Sequence, residues 1–172
     1  MKYSTRARYG LRMMVELARA LQDKPLVHLG EVATTTGISM NYLAQLAMPL
    51  KNNGLLVGVS GKGGGYSLGR PAEEIKISEI IEAVQGPTAL TDCTANPDLC
   101  MHAPFCDTRL IWVIAGHRLH EVFEQFSLAD IIRKGFRQDT LREYGSVPLL
   151  NPEEQRCSGA EPQQNAAARK DK

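Results

Sequence analysis

Three cysteines in one short segment, Cys93, Cys100 and Cys106, are the residues best suited to do chemistry in this 172-residue chain. They are spaced C-x6-C-x5-C, and thiolates are soft ligands that suit zinc or an iron–sulfur cluster. In a reducing compartment, clustered cysteines are metal ligands or redox groups more often than disulfides. Structural zinc sites pair their ligands in C-x2–4-C knuckles, which are missing here, as is the C-x2-C-x2-C run of bacterial ferredoxins. Spacing alone therefore leaves a cluster, plain free thiols, and zinc as the weakest of the three. The fourth ligand is open among His102, Asp107, His117, His120 and Cys157. For His117 and His120 the plainer role is a surface pairing with Glu121 and Glu124 along a helix.

The segment that holds these thiols, about 88–107, has no helix or strand periodicity, so its neighbours must position it. Upstream, Ile75 and Ile77 lead into a short helix from Ser78 to about Gln85, closed by Gly86-Pro87. Downstream, Thr108 to Phe126 predicts the longest helix. Trp112, Leu119, Phe123 and Phe126 fall near one face, with Ile111, Ala115 and Val122 beside it. That stripe is wider than one small domain needs and predicts a homodimer seam. A shorter helix follows Ser127 and ends near Lys134-Gly135. From about 140 the chain turns polar and has the composition of a disordered tail.

Everything before residue 71 has a different character. Residues 1–71 carry nine Lys and Arg against three acids, a net of +6, although the whole chain is only +1. Such a half suits a polyanion, because each phosphate contact releases condensed counterions. Apolar residues at 7, 11, 14, 18 and 21 predict an amphipathic helix from Thr5 to about Leu21. A short helix over Leu29–Thr36, a turn at Gly37 and a second helix capped by Ser39 complete a helix-turn-helix pattern. Leu43, Leu46, Ala47 and Leu50 form the buried face of that second helix. Pro49 has no N–H for the Gln45 carbonyl and predicts a kink or break, leaving Met40–Met48 as the reading part and Pro49–Asn53 as a tilted extra turn. Leu55–Ser60, the turn Gly61–Gly65 and Tyr66–Leu68 then read as a hairpin wing.

The expected class is mainly α with a small β-hairpin, a winged helix-turn-helix with a long dimerisation helix. Its parts are a DNA-binding region over 1–71, the cysteine loop with dimerisation helices over 72–135, and the polar tail over 136–172. Asn41 and Gln45 suit adenine edges in double-stranded DNA, while Ser39 and Tyr42 suit phosphates. Lys2, Arg6, Arg8, Lys51 and Lys62 add cations, and Gly63 and Gly64 permit close approach of the wing. A nucleotide-binding loop is the competing reading of GKGGGY, but G-x-x-x-x-G-K-[ST] is absent and no helix follows.

No apolar run approaches the ~20 residues of a membrane span. Arg8, Arg12, Glu16 and Arg19 interrupt any secretory pattern, so a cytoplasmic protein is expected. No nucleophile–base constellation emerges, which argues against an enzyme.

The segments MKYSTRARYGLRMMVELA, GISMNYLAQL and NGLLVGVSGKGGGYSLGR, with the three-cysteine loop before a Trp-bearing helix, resemble the Rrf-two family of bacterial regulators over about residues 1–135. The resemblance implies a winged-helix homodimer on a DNA operator, with the long helix crossing between subunits. It also implies a two-iron or four-iron cluster on Cys93, Cys100 and Cys106, and repression governed by redox, iron–sulfur status or nitric oxide. The chain departs from cluster-binding relatives in several places. Its first cysteine interval has six residues where many have five. Arg109 stands where some place a histidine ligand, and Arg8 where others place an aspartate. Ala44 also replaces a glutamate of some members. A cluster-free repressor controlled by thiols or a partner is the alternative reading, followed by a metal-binding module that docks on protein.

Overall fold

The computed structural model describes residues 4–145, so Lys2, Cys157 and the tail from 146 lie outside the described residues. The first helix, α1 (Thr5–Ala20), starts at Ser4, whose hydroxyl accepts a hydrogen bond from the Ala7 N–H at 3.1 Å. Its buried face is broader than the predicted stripe, because Met13, Val15 and Leu17 join Ala7, Met14 and Ala18. α2 (Leu29–Thr36) ends at Gly37, whose φ of 71° supplies the left-handed turn into the next helix. Ser39 caps α3 (Met40–Asn52), accepting from the Tyr42 N–H at 3.4 Å.

Pro49 does not end α3. The helix continues through it for another turn, to Asn52, in keeping with the extra turn expected after the proline. Two facts account for this: Gln45, whose carbonyl loses its donor, is exposed to solvent, and Leu50 is fully buried beyond the proline. Burying such a leucine contributes about 1.5–3 kcal/mol, which offsets much of the roughly 3 kcal/mol an interior proline costs.

The wing pairs β1 (Leu56–Val59) with β2 (Gly65–Leu68) antiparallel, in the register Leu56↔Leu68 to Val59↔Gly65. A methyl group on Gly64 would lie 2.2 Å from the Val59 carbonyl oxygen, so only glycine allows this tight crossing. Val27 and Tyr66 exchange backbone hydrogen bonds at 2.9 and 2.8 Å and fasten the hairpin to the segment before α2.

α4 (Ile77–Gln85) lies against α1, where Gly10 lets the Val84 side chain approach closely. Met13, Met14, Leu17, Leu43, Leu46, Leu50, Ile75 and Ile80 belong to one core with Leu128. Residue 71 is therefore no packing seam, and the Arg70 guanidinium also meets the Glu79 carboxylate at 2.6 Å.

The cysteine segment, expected to lack regular structure, contains α5 (Asp92–Ala95) and single 3-10 turns at Pro97–Leu99 and Ala103–Phe105. α6 (Asp107–Gln125) follows, then α7 (Leu128–Ile132), which is capped by Ser127. At the junction the Ile77 N–H donates to the Phe126 carbonyl at 3.0 Å, and the Leu128 N–H to the Ile75 carbonyl at 2.8 Å. Compact packing of the first unit extends to Phe136. α8 (Phe136–Tyr144) corrects the expectation of a disordered tail from 136, since its first residues are helical. Leu141 and the polar residues around it carry too weak a stripe to be read as a helix from sequence.

Candidate nucleic-acid interface and cysteine loop

The core residues of α3 alternate with a solvent face at helical spacing, which leaves Asn41, Ala44 and Gln45 exposed. Asn41 and Ala44 join Lys51 and the wing residues Gly58, Val59 and Ser60 in one groove of about 370 Å³. Lys51 reaches across it, its Nζ 3.1 Å from where a Cβ on Gly58 would sit. Gly58 thus makes room for a cation between helix and hairpin. Lys62 is exposed in the turn of the wing, beside Gly63 with φ of 83°.

Ser39 is exposed but already serves as the cap of α3. Tyr42 is half-buried and meets Tyr9 edge-to-face with ring centroids 6.0 Å apart, so packing occupies its ring. Arg6 and Arg8 are exposed on α1, with the Arg8 guanidinium 5.6 Å from the Tyr9 ring centroid. His28, Met40 and Tyr66 also line the groove and were not singled out in the sequence. Met40 and Ala44 could have been found from their i, i+4 spacing opposite the leucines. Tyr66 arrives through its pairing with Val27, which no local pattern signals.

The three cysteines are free and half-buried. Cys93 lies in α5, with its Sγ 3.4 Å from the Thr91 hydroxyl. Cys100 follows the first 3-10 turn, and Cys106 immediately precedes α6 without its side chain making a capping hydrogen bond. Hydrogen bonds from the Thr108 hydroxyl and the Arg109 backbone N–H pull the Cys106 thiol below its ordinary pKa, against the Asp107 charge. Arg109 also donates from Nε to the Cys93 carbonyl at 3.0 Å, tying the first cysteine to the start of α6. A hollow of about 450 Å³ opens beside Cys100, lined by Met101, Asp98 and Arg109 among others.

The donors fit a soft metal or an iron–sulfur cluster in kind. In arrangement, no three His, Cys, Asp or Glu residues among those described converge to hold a metal ion. His117 and His120 lie about three and four turns along α6 from Cys106. Both are engaged by carboxylates: His117 with Glu121 at 3.3 Å, and His120 with Glu82 of α4 at 3.1 Å. His102 and Asp107 are exposed within and just after the loop.

The apolar stripe of α6 divides into two parts. Phe123 and Phe126 pack against the core, whereas Leu110, Ile111 and Ile114 are more than half exposed. Gly116 is the one fully buried residue of α6, and a methyl group there would meet the Thr88 carbonyl at 3.3 Å. No helix among the described residues is long and apolar enough to cross a membrane.

A helix-turn-helix with an exposed amide-bearing helix beside a hairpin defines a winged helix-turn-helix DNA-binding protein. A family model described as "Rrf2: Iron-dependent Transcriptional regulator" matches residues 3–134, and the chain belongs to that family. It is 37% identical over 153 residues to the HTH-type transcriptional regulator IscR of Cereibacter sphaeroides, covering 87% of this chain and 96% of that protein. Among solved structures it is similar to CymR, the global cysteine regulator of B. subtilis. That match has a TM-score of 0.62 and 32% identity, over 77% of this chain and 96% of the other. T. potens IscR gives the same TM-score with 31% identity, covering 77% of this chain and 86% of that one. The protein is a DNA-binding transcriptional regulator and not an enzyme.

Proposed function

We propose that this chain is a homodimeric, cytoplasmic repressor whose hold on its operator is governed by an iron–sulfur cluster on Cys93, Cys100 and Cys106. The observation that carries the reading is the position of Cys106: the last cysteine of the loop is also the residue from which α6 starts. Any rearrangement of the loop therefore acts directly on the helix whose exposed Leu110, Ile111 and Ile114 supply a dimer seam. The family description, an iron-dependent regulator, supports the choice of an iron-bearing group. When bound, a two-iron or four-iron cluster supplies chemistry that responds to oxidants, iron–sulfur supply or nitric oxide.

In the dimer two α3 helices enter successive major grooves, about 34–36 Å apart. Asn41 and Gln45 present amides to base edges, and Ser39 and Tyr42 lie toward the backbone. Arg6, Arg8, Lys51 and Lys62, with Lys2, hold phosphates, while Gly63 and Gly64 bring the wing close to the duplex. Loop rearrangement shifts the balance between two positions of the reading heads. A coupling of about 1–3 kcal/mol changes operator occupancy roughly 5- to 150-fold.

The arrangement of the thiols favours a second reading. Three free cysteines that do not converge suit thiol control without a cluster. Anaerobic purification with iron and sulfide analysis, absorption and EPR spectra separates the two. Iron and sulfide lost on substituting Cys93, Cys100 or Cys106 by Ala, but kept in Cys157→Ala, is the result expected. A colourless, iron-free protein after reconstitution leaves only thiol control. Operator affinity should fall steeply with salt, and a flat dependence would contradict the phosphate contacts.

A further inference from the structure

The exposed face of α3 is not uniformly polar. Met40 is 56% and Met48 65% exposed, and Ala44 between them is exposed too. The core is served by Leu43, Leu46, Ala47 and Leu50, so these three residues contribute little to it. At about 3.6 residues per turn, positions 40, 44 and 48 run along one edge of the helix. Met40 and Ala44 line the wing groove, and Ala44 and Met48 line a second hollow of about 180 Å³ with Lys51 and Tyr66. Ala44 belongs to both. Asn41 and Gln45 follow the neighbouring edge, and Gln45 lies outside both hollows.

Two stripes, one of amides and one of small or flexible apolar groups, match the two halves of an A·T pair. In the major groove adenine presents N6 and N7, which suit Asn or Gln, and thymine presents its C5-methyl, which suits an apolar side chain. No Asp or Glu lines either hollow, and Lys51 stands in both, so the surroundings favour a polyanion over an apolar protein partner.

We infer that Ala44, flanked by Met40 and Met48, reads thymine C5-methyl groups of the operator while Asn41 and Gln45 take adenine edges. The inference rests on the reading of α3 as the major-groove helix. It specifies A·T pairs among the bases that α3 faces.

The test uses the full chain and a duplex that it selects from a random-sequence pool. Each thymine of the selected half-site is replaced in turn by deoxyuridine, which removes the methyl alone, and affinity is read by fluorescence anisotropy. At one or two thymines the loss should be about fourfold, the ratio implied by burying one CH2-sized group. Ala44→Ser should erase that ratio at its own thymine, whereas Lys62→Ala should weaken both duplexes alike. Met48→Gln provides a second variant if Ala44→Ser does not fold. A methyl effect that survives in the folded variants, or no effect at any thymine, overturns the inference and leaves the major-groove reading standing. Failure to select any sequence overturns both.

Discussion

The reading head and the α6 segment use their apolar residues in opposite ways. In α1, α3 and α4 most large apolar side chains are buried, Met40 and Met48 of α3 excepted, with Met13, Leu43 and Ile80 fully inaccessible. In α6 the residues of the same chemistry point outward: Leu110, Ile111 and Ile114 are more than half exposed. The head is a finished object whose geometry depends on its own packing. The long helix is held at its C-terminal end and leaves the rest of its apolar surface for something outside the protomer.

Substitutions should expose this difference most strongly in the head. Leu43→Ala should cost about 2–5 kcal/mol in urea unfolding, as a cavity in a core without slack does. Gly64→Ala forces a methyl against the Val59 carbonyl and should cost about 1–3 kcal/mol through the wing, with operator affinity falling too. Ser127→Ala removes the cap of α7 and should cost about 1 kcal/mol.

Ser127 also sets an acid limit. Its hydroxyl and backbone N–H hold the Asp130 carboxyl below the usual carboxylate range. The resulting stability is present above the unfolded value of about 3.9 and is lost as pH falls through the folded value. Thermal unfolding between pH 5 and about pH 3 should show this loss, and show less of it in Ser127→Ala. The smallest effect on protomer stability belongs to Ile111→Ala, within about 0.5 kcal/mol, yet sedimentation should reveal weaker self-association. If Ile111→Ala unfolded the protomer as Leu43→Ala does, the contrast between the two regions would fail.

The head was legible because each of its elements is bracketed by residues with one local meaning. Gly37 closes Leu29–Thr36, and Ser39 opens α3 with leucines at core spacing behind it. Pro49 left kink and break open in the sequence because its effect depends on whether the freed carbonyl has access to water, which is a tertiary matter. The cysteine segment was read as irregular because its turns are only three or four residues long, too short for any period to register. The stripe on α6 was visible, but the division between its docked and exposed ends was not. The part that docks is chosen by the backbone bonds at Phe126 and Leu128, which carry no signature in side-chain type. The tie from Arg109 to the Cys93 carbonyl was hidden for a related reason, since it joins residues on either side of the loop.

Those junction bonds have a mechanical meaning. Nineteen residues of helix measure about 28 Å, and α6 is stapled to the backbone before α4 at the end opposite Cys106. The helix is thus a lever whose fulcrum sits beside the reading head. A tilt of about 5° at that fulcrum sweeps the cysteine end through roughly 2.5 Å. In the proposed function the gearing runs in reverse: a displacement of ångström size at the loop would reach the head as a turn of a few degrees, and small chemistry at the cysteines would become orientation at the other end.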